Sequence, residues 1–90
     1  METTEAQIER LVLNVHHRNG GKLARLDFDL RLLDPILVLD SLDLAEIVVA
    51  IEKQFSYSPF DASPPPRTWA ELSAQLVEST KSRTQTSTPR

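Results

Sequence analysis

Between Leu39 and Phe55 the chain carries its longest apolar run, LDSLDLAEIVVAIEKQF, and the order within it leaves little choice of structure. Leu44, Ile47, Val48, Ile51 and Phe55 recur at the three- and four-residue spacing of one helix face. Leu42, Ala45 and Val49 form a lighter stripe beside it. An apolar sector this wide either lies deep in a core or leaves an edge for a partner. A chain of 90 residues makes one domain, and a domain of that size buries only about 60–65% of its unfolded surface. The core is therefore small, and the expectation is a helix from Ser41 to Phe55 with an exposed edge.

The rest of the chain reads as helices around this one. Thr4-Glu5-Ala6-Gln7 fits a capping box. Ile8, Leu11, Val12 and Val15 follow on one face, which predicts a helix over Thr4 to Arg18. Asn19-Gly20-Gly21 ends it, because both residue types tolerate a left-handed turn. Leu26, Phe28, Leu30 and Leu32 then alternate with Asp27, Asp29 and Arg31, the pattern of a strand. Pro35 follows closely, and no second strand exists to satisfy its backbone. Residues 20–40 are accordingly a long loop whose apolar side chains tuck under the helices. Residues 56–66 are rich in turn formers, with a short helical turn near Phe60–Ser63 and Pro64-Pro65-Pro66 barring a helix interior. A last helix starts at Thr68, again with a capping box to Glu71, and turns Trp69, Leu72 and Leu76 inward. From Ser79 on no apolar residue remains, so the expectation is a domain over residues 1–79 and a disordered tail over 80–90. The fold class is all-α, a three- to four-helix bundle with a long first loop.

Charge narrows the partners. Residues 34–61 hold six acids and one base, whereas residues 1–33 balance and residues 62–90 have a surplus of two bases. A phosphate backbone needs a basic face, so nucleic acid is disfavoured and a basic protein patch is favoured. With no cysteine, disulfides, thiolate metal sites and thiol catalysis are excluded. His16 and His17 are sequence neighbours, pointing about 100° apart on a helix, so they read as surface or half-buried helix residues rather than as a metal pair. No run reaches the ~20 apolar residues of a membrane span. The N-terminus METTEAQIER has no basic, apolar leader. The expectation is a cytoplasmic monomer.

Ser41 is the residue with chemical potential. At the N-cap of the second helix its hydroxyl contributes about 1 kcal/mol by accepting a backbone N–H. Asp40 is equally able to cap, which leaves one of the pair spare. A helix N-terminus also favours an attached phosphate, because free N–H groups and the helix dipole attract negative charge. Serine catalysis fits poorly: no G-x-S-x-G elbow surrounds Ser41, and both histidines belong to another helix.

The stretch DSLDLAEIVVAIEKQF resembles the attachment-site helix of acyl carrier proteins. The matching residues are Asp40-Ser41-Leu42, Glu46, Ile47-Val48-Val49, Glu52 and Phe55, preceded by a helix and a long loop. The resemblance covers roughly residues 4–79. It implies that Ser41 carries 4'-phosphopantetheine, transferred from coenzyme A by a phosphopantetheinyl transferase. The thiol of that arm holds an acyl group as a thioester, and the domain itself is not an enzyme. It implies further that Asp40, Leu42, Asp43, Glu46 and Val49 meet partners such as a ketosynthase or acyltransferase. Ile47, Val48, Ile51 and Trp69 are implied as lining for a sequestered acyl chain, or else are ordinary core. The chain departs from the housekeeping fatty-acid carriers at Lys53, at the triple proline, and in the loop LDPILVLD, which lacks the glycine common before the Asp-Ser pair. These departures point away from the housekeeping role to a specialised bacterial carrier serving a secondary-metabolite or dedicated lipid pathway, within fatty-acid, polyketide or related lipid biosynthesis. Two alternatives stay open: a peptidyl or aminoacyl carrier of nonribosomal peptide assembly, and a helical interaction module without a prosthetic group.

Overall fold

In the computed structural model, residues 3–61 and 64–86 are described, with side chains as far as residue 79. Three α-helices are present, α1 over Thr4–Arg18, α2 over Ser41–Phe55 and α3 over Trp69–Thr86. Single 3-10 turns occupy Pro35–Leu37 and Pro59–Asp61. The second lies at the short helical turn expected near Phe60–Ser63, shifted towards Pro59. Among the described residues there is no strand, and no helix is long and apolar enough to cross a membrane. The molecule is a small all-helical bundle.

Helix α1 is the central element and packs against both α2 and α3. Its Ile8, Val12 and Val15 meet Ile47, Ile51 and Phe55 of α2 and Trp69, Leu72 and Leu76 of α3 in one buried cluster. The long loop adds Leu26, Leu32 and Leu37 to the same cluster. Burying each such leucine contributes roughly 1.5–3 kcal/mol, so the loop is part of the core.

The alternating segment of the loop keeps its alternation. Leu26 and Leu32 are buried, Phe28 and Leu30 half-buried, and Asp27, Asp29 and Arg31 exposed. It forms one isolated bridge, Arg31 to Thr68. Its carbonyls accept from the start of α3: Trp69 N–H donates to Leu30 O at 3.2 Å and Ala70 N–H to Phe28 O at 2.7 Å. The first amides of a helix have no intrahelical acceptor, and the loop supplies one to each of these two.

Caps differ from expectation by one residue at two helices. Thr3, not Thr4, caps α1, its Oγ1 accepting from Ala6 N–H at 3.0 Å. Asp40, not Ser41, caps α2, its Oδ1 accepting from Asp43 N–H at 2.8 Å. Asp43 Oδ2 returns the favour by accepting from Asp40 N–H at 3.2 Å, which closes a reciprocal capping box. A carboxylate at position 40 faces a second carboxylate three residues on, so Asp40 wins the cap and Ser41 becomes the first helical residue. Thr68 caps α3 through Glu71 N–H at 3.1 Å, while Glu71 reaches past it to accept from Arg67 N–H.

Helix α3 continues to Thr86, beyond the last apolar residue of the sequence, Val77. Residues 87–90 of the tail expected over residues 80–90 lie outside the described residues.

Candidate functional site

The site lies where the C-terminus of α1, the end of the loop and the N-terminus of α2 converge. Ser41 is exposed in the first turn of α2, and its hydroxyl makes no hydrogen bond to any described residue. Leu42 beside it is 78% exposed, and Val49 is 48% exposed. The edge expected on α2 is therefore open to solvent, and Ala45 lies exposed with it.

The carboxylates around Ser41 are held from within the chain. Asn19, the C-cap of α1, donates through Nδ2 to Val38 O at 2.9 Å and to Asp43 Oδ2 at 2.8 Å. Arg18 forks onto Glu46, with Nη1 to Oε2 at 3.0 Å and Nη2 to Oε1 at 2.8 Å. Its Nη2 also lies 3.6 Å from Asp43 Oδ1. Asp43 is held below the ordinary aspartate range, first by the Asp40 backbone N–H and then by the Asn19 amide. Glu46 is lowered by the hydrogen bond from Arg18, and Arg18 is raised by the same bond. A shallow depression opens here, lined by Asn19, Val38, Leu39, Asp40 and Asp43.

Val38 sits in the left-handed region at φ 55° and ψ 39°, as the residue that ends the Pro35–Leu37 turn. It lies in the loop LDPILVLD, which has no glycine before the Asp-Ser pair. A left-handed conformation costs a residue with a Cβ roughly 1–2 kcal/mol, and a β-branched one is an outlier there. Its side chain is 48% exposed, so little burial offsets that cost. Val38→Gly is expected to stabilise the domain by about 0.5–1 kcal/mol, the strain relieved exceeding the freedom added to the unfolded chain. Urea unfolding measures this, and a lowered midpoint would show that the valine side chain packs usefully.

His16 anchors the segment leading to the site. It is 1% exposed, more deeply buried than its sequence suggests. Its Nδ1–H donates to Leu37 O at 2.7 Å, and its Nε2 accepts from Leu23 N–H at 3.1 Å. A carbonyl only accepts and an amide only donates, so the pair fixes the tautomer. His17 Nε2–H donates to Leu23 O at 2.6 Å. The two histidines thus pin both ends of the loop to α1. Their ring centroids are 5.5 Å apart. Among the described residues no group of three or more His, Asp or Glu side chains is placed to hold a metal ion.

The residues implied as acyl-chain lining, apart from Val48, belong to the packed core of the described residues. Ile47, Ile51 and Trp69 are fully buried in the core, and Val48 is half-buried. The indole N–H of Trp69 is buried without a partner among the described residues. Another depression lies along α1, lined by Arg10, Leu11, Leu13, Asn14 and His17, and neither depression reaches these core residues.

Glu9 ties the loop at its other side. Its Oε2 accepts from Leu26 N–H at 2.8 Å and from Arg25 Nε at 3.0 Å, which lowers the Glu9 carboxyl below its ordinary 4.5. A depressed carboxyl contributes stability above its unfolded value, lost as pH falls through the folded one. Stability is therefore expected to fall with acidification from about pH 4.5 downward. Glu9→Gln should cost on the order of 1 kcal/mol near neutrality and flatten that dependence. Thermal melts from pH 7 to pH 2 followed by circular dichroism read both, and an unchanged slope in the variant would remove Glu9 from the account.

Compared with known proteins, the chain matches no protein-family model, no curated protein and no solved structure.

Proposed function

We propose that the chain is an acyl carrier, with Ser41 as the attachment point of 4'-phosphopantetheine. The observation that carries this reading is the division of labour between Asp40 and Ser41. Asp40 caps α2, and Ser41 is exposed in its first turn with no hydroxyl hydrogen bond among the described residues. Because Ser41 Oγ is not needed for capping, esterifying it leaves the helix start intact. A phosphodiester on Ser41 sits at the positive end of the α2 dipole. In the loading step the Oγ–P bond forms, the Oγ proton leaves to a base of the transferase, and the nucleotide half of coenzyme A departs. The arm supplies the thiol that a cysteine-free chain lacks.

The exposed Leu42 and Val49, flanked by Asp40, Asp43 and Glu46, suit a partner with an apolar notch inside a basic patch. Contacts of this kind are individually weak, which suits fast handover to acyl-loading and acyl-processing enzymes. The same prosthetic chemistry serves an aminoacyl carrier, and the cargo distinguishes the two. The reading without a prosthetic group rests on the same exposed edge, with Ser41 idle.

The test is intact mass after incubation with coenzyme A and a promiscuous phosphopantetheinyl transferase. The wild type is expected to gain one phosphopantetheine, and Ser41→Ala none, with both proteins equally folded. An unmodified wild type beside a modified control carrier would leave the interaction-module reading.

A further inference from the structure

We propose that Arg18 is a built-in competitor for the basic side chains of a partner, occupying the acidic face beside Ser41 until a partner displaces it. This inference rests on the carrier reading. Glu46 and Asp43 are the acids on α2 expected to meet a partner's cations, and Arg18 already takes that position on both. It grips Glu46 by a two-bond fork at 3.0 and 2.8 Å and stands 3.6 Å from Asp43. The fork is the geometry in which an incoming arginine would hold Glu46.

The contact is also placed to be given up. The side chains of Arg18 and Glu46 are 52% and 54% exposed, and exposed pairs of this kind are weak. Arg18 lies in the last turn of α1, where a cation is already favoured by the helix dipole. It therefore keeps a place when released. Asp43 differs from Glu46. It is tied by Asn19 and by the Asp40 backbone, so its position does not depend on Arg18. Arg18 thus governs the Glu46 carboxylate, and it lowers the negative charge that a basic partner senses at a distance. A partner selected for this chain must offer a cation that outcompetes Arg18, and a neutral or acidic spot for the displaced guanidinium.

The test compares loading kinetics of wild type, Arg18→Ala, Glu46→Gln and the double variant with a basic-faced phosphopantetheinyl transferase. In low salt Arg18→Ala is expected to lower KM by about two- to fivefold, the factor equivalent to an exposed ion pair no longer displaced, with kcat unchanged. The gain should disappear at about 0.5 M salt, where the Debye length is only a few ångströms. Glu46→Gln should raise KM, and removing Arg18 in that background should gain much less than in the wild type. Circular dichroism melts within a few degrees of one another keep a folding defect from mimicking the effect. An Arg18→Ala KM that is unchanged or raised overturns the competitor role while leaving the carrier reading intact. A wild type that accepts no phosphopantetheine overturns both.

Discussion

Gly21→Ala is expected to lower the stability of the domain by about 3 kcal/mol, an unusually large effect for one added methyl group. A Cβ on Gly21 would collide with the His16 ring, meeting Cε1, Nε2 and Nδ1 together. The backbone there has little freedom to retreat, because Gly21 N–H donates to His16 O at 2.9 Å. The ring has little freedom either, since both nitrogens are bonded to loop backbone at Leu37 and Leu23. Accommodation therefore means evicting the imidazole and leaving a carbonyl and an amide without partners. A native domain of this size holds roughly 5–14 kcal/mol in all, so the loss is a large share. Gly20→Ala provides the contrast. At φ +94° a Cβ there meets nothing within 4 Å, and its cost is the left-handed strain alone, about 1 kcal/mol. Urea unfolding of the two variants separates them, and a Gly21→Ala loss no larger than that of Gly20→Ala would show that the ring yields easily.

The two adjacent glycines show how far the sequence is legible. Asn19-Gly20-Gly21 reads as a helix stop, and α1 does end at Arg18. Of these three residues only Gly20 has a positive φ, with Asn19 at φ −87° and Gly21 needed for room. The first property is local and therefore readable. The second depends on a histidine ring folded back over the turn. The same division runs through the molecule. The bounds of α1 and α2 follow from apolar spacing and short-range caps, signals contained within one turn of helix. Which of Asp40 and Ser41 caps α2 was decided by Asp43 answering Asp40, a choice between two good cap formers that propensity does not rank. The turn at Pro35–Leu37 was legible in principle, because Asp34 accepts from Ile36 N–H at 3.0 Å in the way an Asp-Pro pair favours. The Arg18–Glu46 fork joins residues 28 apart, and no periodicity announces it. Helix α3 runs to Thr86 although residues 79–86 hold no apolar residue, so apolar spacing gives no sign of where it ends.

His16→Ala is the second large effect, an expected loss of about 3–5 kcal/mol. The substitution removes a fully buried ring and leaves Leu37 O and Leu23 N–H unpaired. An empty space and two orphaned backbone groups add in the same direction. His16→Gln offers one donor and one acceptor on a flexible stem, so it should recover part of the loss, and it serves if the alanine variant does not fold. The double variant with Gly21→Ala carries the argument further. Once the ring is gone, the methyl on residue 21 has nothing to strike and partly fills the vacated space. Gly21→Ala should then cost little, giving a coupling of about 2–3 kcal/mol between the sites. Additive losses would mean that the two residues act through separate defects. The consequence reaches the site. Leu37 precedes Val38, whose carbonyl accepts from Asn19, and Asp40 follows at the cap of α2. Without the Leu37 anchor, hydrogen exchange at Leu23 and Val38 should quicken while the amides deep in α2, whose cap does not involve His16, remain protected. The lone buried histidine is thus a positioning residue: it holds the loop against α1 so that the segment bearing Ser41 starts from a fixed place.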